Sequence, residues 1–421
     1  MEPKPNVRIH ANSPDELLER LAGMIAEAQG APFLLNFDEN AIAGLQWQGL
    51  PAEELWDYAP VGCLENTLQG SDRSGTVDVN LNLAKAVELT LNNGCEMIKG
   101  KRVTSATGEA IRFKDFNEFY LAFKAQLQEL IGLLTNNANK ADFIRSTYEP
   151  TPYLSLLVEG CLEKRKDITA GGALHNYITV EGIAFATAVD SVIAVKKLVY
   201  DEQRVSMSEL VEALRHNFDG QEKLRQILIN KAPKYGNDND YADELARDLS
   251  VFWTSEVSKH QSPATGRRYR AGYLSWNYWI GYAPKTAATP DGRLLGSFLS
   301  NGIGPVNGAD RYGPTAVIKS VGNINMKTAP SGASHTISFS PTLLRDKEHI
   351  KKFAALLKAY NKYGGTALQV NVIDAQMLKD AQQKPDDYRN LLVRVTGYNA
   401  YFLMLGKEIQ DEIIARESHG M

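Results

Sequence analysis

Apolar residues recur at helical spacing along much of the chain, and the breaks between these stretches fall at glycine, proline and short β-prone runs. The first stretch opens at Ser13-Pro14-Asp15-Glu16, a capping box with proline at the first helical position. It predicts a helix with Leu17, Leu21, Met24, Ile25 and Ala28 on one stripe and Gly30 as its stop. Residues 31–37 read as a short buried strand. A polar stretch follows, and a helical turn or two over 53–58 deliver the chain to Pro60-Val61-Gly62-Cys63, which places the cysteine in a loop. Residues 82–91 are helical in composition, and 116–134 predict a long amphipathic helix with Phe116, Phe119, Phe123, Leu127, Leu130 and Leu134 in register. Helical patterns return at 153–164, 183–200, 206–218, 222–229 and 241–258, separated by glycine-rich loops and β-prone runs. That alternation is the mark of an α/β protein.

From Gly272 the pattern changes to aromatics and turns: Tyr273-Leu274-Ser275-Trp276-Asn277-Tyr278-Trp279, then Thr289-Pro290-Asp291-Gly292-Arg293, then residues 301–314. Loops longer than about 12–15 residues in compact enzymes are usually functional or disordered, and the aromatic content argues against disorder. A helix near 347–360, a strand near 368–373 and a helix near 375–383 follow. The chain then offers an apolar run at 391–395, read as a buried strand, and a helical pattern over 401–415, with Gly397 in a tight loop between them. No internal repeat or low-complexity segment interrupts this order.

Composition narrows the function classes. The 421 residues carry 46 basic and 50 acidic side chains, interspersed, for a net charge of −4, so no general nucleic-acid or anionic-membrane surface is implied. The start, Met1-Glu2-Pro3-Lys4-Pro5, lacks the basic and apolar regions of a secretion signal, and no apolar run approaches the ~20 residues that cross a bilayer, so a soluble cytoplasmic protein is expected. Cys63, Cys95 and Cys161 are too scattered for a disulfide framework, and no Cys-x-x-Cys or His-x-x-x-His pair offers a metal site. Gly302-Ile303-Gly304-Pro305-Val306-Asn307-Gly308 misses the dinucleotide spacing by one place. His175 reads as a hydrogen-bonded structural histidine, and Trp276, Tyr278 and Trp279 as core.

Two constellations carry chemistry. One is Arg394-Val395-Thr396-Gly397-Tyr398-Asn399-Ala400-Tyr401-Phe402; the other is Gly62-Cys63-Leu64-Glu65. Alone, Gly397 is a turn glycine and Cys63 an inert thiol. Together, in this order, they closely resemble the radical loop and the cysteine loop of the glycyl radical enzymes, the pyruvate formate-lyase superfamily. Lys166-Asp167-Ile168-Thr169-Ala170-Gly171-Gly172-Ala173, Ala288-Thr289-Pro290-Asp291-Gly292-Arg293 and the stretch 308–316 also look like segments of these enzymes.

The resemblance implies three catalytic residues. Gly397 is the radical store, a residue type with no Cβ to crowd a planar Cα. Cys63 passes its hydrogen atom to that radical and becomes the thiyl that attacks substrate carbon, and Glu65 is the general acid or base. No bound cofactor is implied; a separate iron–sulfur AdoMet radical activase installs the radical. Gly62, where formate acetyltransferases of the family carry a second cysteine, argues against acyl transfer. Asn66-Thr67, where the dehydratase and lyase branch usually has proline directly after the glutamate, argues against the diol, choline and hydroxyproline eliminases. A decarboxylase of the arylacetate type stays open, with Trp276, Tyr278 and Trp279 as a candidate aromatic pocket.

Family members are about twice as long and fold as a ten-stranded α/β barrel with the two loops meeting at its centre. The implied fold is therefore the C-terminal half of that barrel, with residues 1–296 as a half-barrel carrying the cysteine loop and 297–421 as a glycine radical domain. Implied partners are the activase, a chain supplying the N-terminal half-barrel, a small-molecule substrate and a possible second copy in a homodimer. The function expected is radical C–C or C–heteroatom cleavage of the lyase, decarboxylase or dehydratase type in anaerobic metabolism. The alternatives are a non-catalytic radical-domain or repair subunit and a truncated inactive fragment.

Overall fold

A computed structural model describes residues 5–27, 34–73, 77–395 and 398–415. Its strands in chain order are β1 (Asn6–Ile9), β2 (Leu34–Phe37), β3 (Tyr58–Val61), β4 (Glu65–Leu68), β5 (Asp72–Arg73), β6 (Val79–Asn82), β7 (His175–Ile183), β8 (Arg268–Gly272), β9 (Thr336–Phe339), β10 (Ala367–Val372), β11 (Leu392–Arg394) and β12 (Asn399–Tyr401). The fold is α/β with mixed sheets. β7 is the centre of one sheet, parallel to β5 and β6 and to β8. From Tyr177 to Ile183 every residue of β7 is buried, as in a parallel strand covered on both faces. A second sheet runs β1-β2-β10-β9, parallel except where β10 meets β2 antiparallel. A single parallel bridge, Tyr273 with Ala333, links the end of β8 to the segment leading into β9. The strands β6, β7, β8, β9 and β10 thereby run side by side in one direction.

Helices cover these sheets with the stripes that the sequence predicts, at shifted limits. Asp115 caps the helix Phe116–Tyr148, which extends well beyond residue 134 and buries Phe119, Phe123, Leu127 and Leu130. Ser206 and Glu209 form a complete capping box at Met207–Arg215. In Asp15–Glu27 the buried stripe is Leu18, Leu21, Ala22 and Ile25, while Leu17 and Met24 are exposed. The i, i+3, i+4, i+7 series starts one residue later than expected. Ser13 Oγ accepts from His10 N–H at 3.0 Å, behind the helix rather than within its first turn. Gly30 lies outside the described residues.

Three expectations fail for physical reasons. Residues 38–47, read as a polar stretch, form the helix Asp38–Trp47, whose Gly44 packs close against Pro330 Cα. The predicted helix over 153–164 is only one turn, Pro152–Ser155. Beyond it the Glu159 backbone is committed elsewhere, its N–H donating to Gly70 O at 2.8 Å and its carbonyl accepting from Leu174 at 2.9 Å, and Gly160 turns at φ +87°. The run 401–415 is not one helix: β11 pairs antiparallel with β12, a 3₁₀ turn follows at Phe402–Met404, and the helix is Lys407–Ala415. Two apolar clusters result. The large one fills the space between the sheets and their helices; a smaller one joins Leu378, Ala381, Val393, Val395, Phe402 and Ile413 to Ala84, Ile183, Ala184, Trp279 and Leu299. No helix among the described residues is long and apolar enough to cross a membrane.

Candidate active site

Cys63 sits at the tip of the hairpin formed by β3 and β4, whose register runs from Tyr58 opposite Leu68 to Val61 opposite Glu65. The three tip residues close on a Leu64 N–H to Val61 O bond of 2.9 Å. Gly62 has φ +53° and Leu64 φ +87°, the second a conformation a branched residue adopts only under external constraint. The constraint is visible. Leu64 is fully buried against Leu34 and Ala367, and its carbonyl lies so close over Gly332 that a Cβ there would collide with it. Gly62 serves a second purpose, because a Cβ on it would stand 2.6 Å from Glu65 Oε2. The carboxylate therefore folds back beside the backbone that bears Cys63, which is half-buried.

All four residues of β4 are buried. Asn66 N–H donates to Ser331 O at 2.9 Å, its side-chain amide reaches Pro330 O at 3.4 Å, and its carbonyl accepts from Arg270 Nη2 at 3.0 Å. A proline in place of Asn66 would lack the first of these bonds. The departure from the family pattern is thus used structurally. Ser331 N–H in turn donates to Ala271 O at 3.0 Å and Tyr273 N–H to Gly332 O at 2.9 Å, so residues 330–334 weld the hairpin to the end of β8.

Under this weld lies Glu181 of β7, fully buried. Its carboxyl accepts from Leu274 N–H at 3.1 Å and from Ser331 Oγ at 3.2 Å, and it presses on the Cα of Gly272, where a Cβ would clash. Burial and, after it, the charge of neighbouring Glu65 push the Glu181 carboxyl well above the usual carboxylate range. Arg270 and Asp72, paired at 3.3 Å, are the nearest ion pair; both are buried, and desolvation raises Asp72 against the pull of Arg270. Glu181 was not among the residues singled out in the sequence. The available signal was one acid inside the otherwise apolar and β-branched run Tyr177-Ile178-Thr179-Val180-Glu181-Gly182-Ile183.

The second hairpin, β11–β12, carries the other constellation. Val395 N–H donates to Tyr398 O at 3.1 Å, and Phe402 N–H to Leu391 O at 2.8 Å. Thr396 and Gly397 lie outside the described residues. Tyr398 is tied to the first hairpin's platform by a 3.0 Å bond from Asn277 Nδ2 to its hydroxyl. Of the aromatics expected in the core, Trp279 is fully buried, whereas Trp276 is 56% exposed and Tyr278 38%. His175 Nε2 meets Glu54 Oε2 at 2.6 Å, a structural link from β7 to the turn that feeds β3. Among the described residues no group of three or more His, Cys, Asp or Glu side chains could hold a metal ion.

Comparison with known proteins agrees with this geometry. The pyruvate formate lyase-like family model matches residues 1–283, and the glycine radical model matches 299–403. The chain is 34% identical over 99% of its length to trans-4-hydroxy-L-proline dehydratase of Clostridioides difficile, covering 52% of that protein. It is 33% identical over 98% of its length to isethionate sulfite-lyase of Nitratidesulfovibrio vulgaris, covering 50% of it. The glycerol-bound B12-independent glycerol dehydratase of Clostridium butyricum superposes with a TM-score of 0.95 at 36% identity, over 100% of this chain and 53% of that one. The chain spans about half the length of the relatives it matches. With two family models on either side of one site, the chain belongs to the pyruvate formate lyase-like glycyl radical enzymes.

Proposed function

We propose that the chain is the catalytic half of a glycyl radical enzyme of the dehydratase or lyase type. The observation that carries this is the shared mounting of the two hairpins: β3–β4 is bonded through Ser331 and Gly332 to residues 271–273, and Tyr398 of the other hairpin to Asn277, four residues further along the same segment. In this reading Gly397 stores the radical after a separate AdoMet radical activase removes its Cα hydrogen. Cys63 gives its S–H hydrogen atom to Gly397 and, as a thiyl, takes a hydrogen atom from substrate carbon. Glu65 exchanges a proton with the substrate hydroxyl or leaving group. The product radical then recovers the hydrogen from Cys63. Relatives named as dehydratases and as a sulfite-lyase favour elimination of a group next to the carbon radical.

The five strands β6 to β10, parallel and adjacent, support a half-barrel, which a chain equivalent to the relatives' remaining half would complete. The two family matches, ending at 283 and beginning at 299, support residues 1–296 and 297–421 as the two units. The buried Glu65 beside Cys63 favours an enzyme over a repair subunit, which needs neither. The test is anaerobic electron paramagnetic resonance after incubation with an activase, with a chain supplying the missing half present. A doublet is expected in the parent chain and in Cys63→Ser and none in Gly397→Ala, while turnover is lost in both variants. Admission of air should then cut the activated chain at Gly397. No doublet under conditions that activate a full-length relative would sink the proposal.

A further inference from the structure

Glu65 and Glu181 approach one weld from two sides. Ser331 donates its hydroxyl to Glu181, while its carbonyl takes the N–H of Asn66, the residue next to Glu65. Glu65 is 4% exposed and Glu181 0%, so water screens neither. Two carboxylates in such a site cannot both be ionised, and the proton stays with the one that loses more hydration. That one is Glu181. It lies in the middle of β7, opposite Gly272 on β8 and Asn80 on β6, with Trp253 packed against the neighbouring Gly182. The charged groups around it are Glu65 on β4 and Arg270 on β8, and Arg270 is already engaged with Asp72 on β5 and with Asn66 O. Too little positive charge is left over for two carboxylates.

We infer that Glu65 and Glu181 act as one carboxyl pair holding a single proton at neutral pH, seated on Glu181, so that Glu65 meets the substrate as an ionised base. The inference deepens the proposed function by choosing between the acid and base roles of Glu65, and it rests on that reading for its catalytic meaning. Glu181 is a positioning residue, acting only through Glu65. A glutamine at 181 copies its neutral state, offering a carbonyl to Leu274 N–H and an amide to Ser331 Oγ.

The test needs neither radical nor substrate, so its failure is separate from failure of the radical reading. Infrared spectra of the unactivated chain, labelled with ¹³C-glutamate, report protonated glutamate carboxyls apart from aspartates such as Asp190 and Asp243, which burial raises to about 7 and about 6. A protonated glutamate band is expected at neutral pH, absent in Glu181→Gln. In Glu65→Gln it should remain but titrate at least about one pH unit lower, a tenfold fall in proton affinity on loss of the neighbouring charge. A band that disappears in Glu65→Gln and survives in Glu181→Gln would move the proton to Glu65 and overturn the inference. So would a titration that Glu65→Gln leaves in place. This second arm decides the matter even where Glu181→Gln does not fold.

Discussion

Residues 58–68 and 392–401 each fold as a short antiparallel hairpin, with strands of four residues in the first and three in the second. The first is fastened by backbone bonds. Asn66 N–H, the Leu64 carbonyl and every side chain of β4 are locked against residues 330–334, with a buried acid and a buried ion pair beneath. The second sits on an apolar cluster of its own, and its bond to the platform runs through one tyrosine hydroxyl. Apolar contact is non-directional, whereas a backbone weld fixes position to a fraction of an ångström. The cysteine side of the site is therefore built for accuracy and the glycine side for separability, which suits a residue that an activase must reach.

This contrast can be broken from either side. The largest effect is expected from Phe402→Ala, which empties the middle of the smaller cluster at a cost of about 3–5 kcal/mol. Hydrogen exchange should accelerate over residues 378–413 while 58–68 keep their protection; equal acceleration in both would show one cooperative unit rather than two. Gly332→Ala comes next, at about 3 kcal/mol, because φ of +114° and the Leu64 carbonyl both oppose a Cβ. Urea unfolding should show the loss, with Cys63 becoming more reactive to thiol reagents and the 378–413 region unchanged. Tyr398→Phe should cost about 1 kcal/mol and leave the Cys63 hairpin untouched. A change in Cys63 reactivity in that variant would mean that the hydroxyl, not the apolar cluster, couples the two hairpins.

The two motifs were legible as sequence, and so was the loop character of Cys63, since Pro60-Val61-Gly62 can hardly read as anything else. The strand at 391–395 was legible too, but its partner was not. Tyr401-Phe402-Leu403-Met404-Leu405 is a continuous apolar run, and periodicity cannot choose between strand and helix over so short a span. Residues 330–334, Pro-Ser-Gly-Ala-Ser, read only as loop, yet their carbonyls and N–H groups hold the site together. Glu181 was hidden for a different reason: a charged residue in an apolar strand is informative only once the strand is known to be central. The proline expected at Asn66 was read as a functional departure, and the structure gives it a bonding reason instead.

The antiparallel pairing of β2 with β10 has a consequence for how the chain is made. Leu34, Leu35 and Asn36 wait for Gln369, Leu368 and Ala367, and Asn40 bonds to the Gly365 carbonyl 325 residues away in sequence. At ribosomal rates of roughly 5–20 residues per second that wait lasts roughly 15–65 seconds. Throughout it, a strand buried at all four positions in the finished fold lacks its β10 neighbour and is open to chaperones and to other nascent chains. Slowing translation between codons 100 and 360 should therefore lower the yield of folded chain without altering its final stability, a difference that pulse-labelling followed by protease challenge would record.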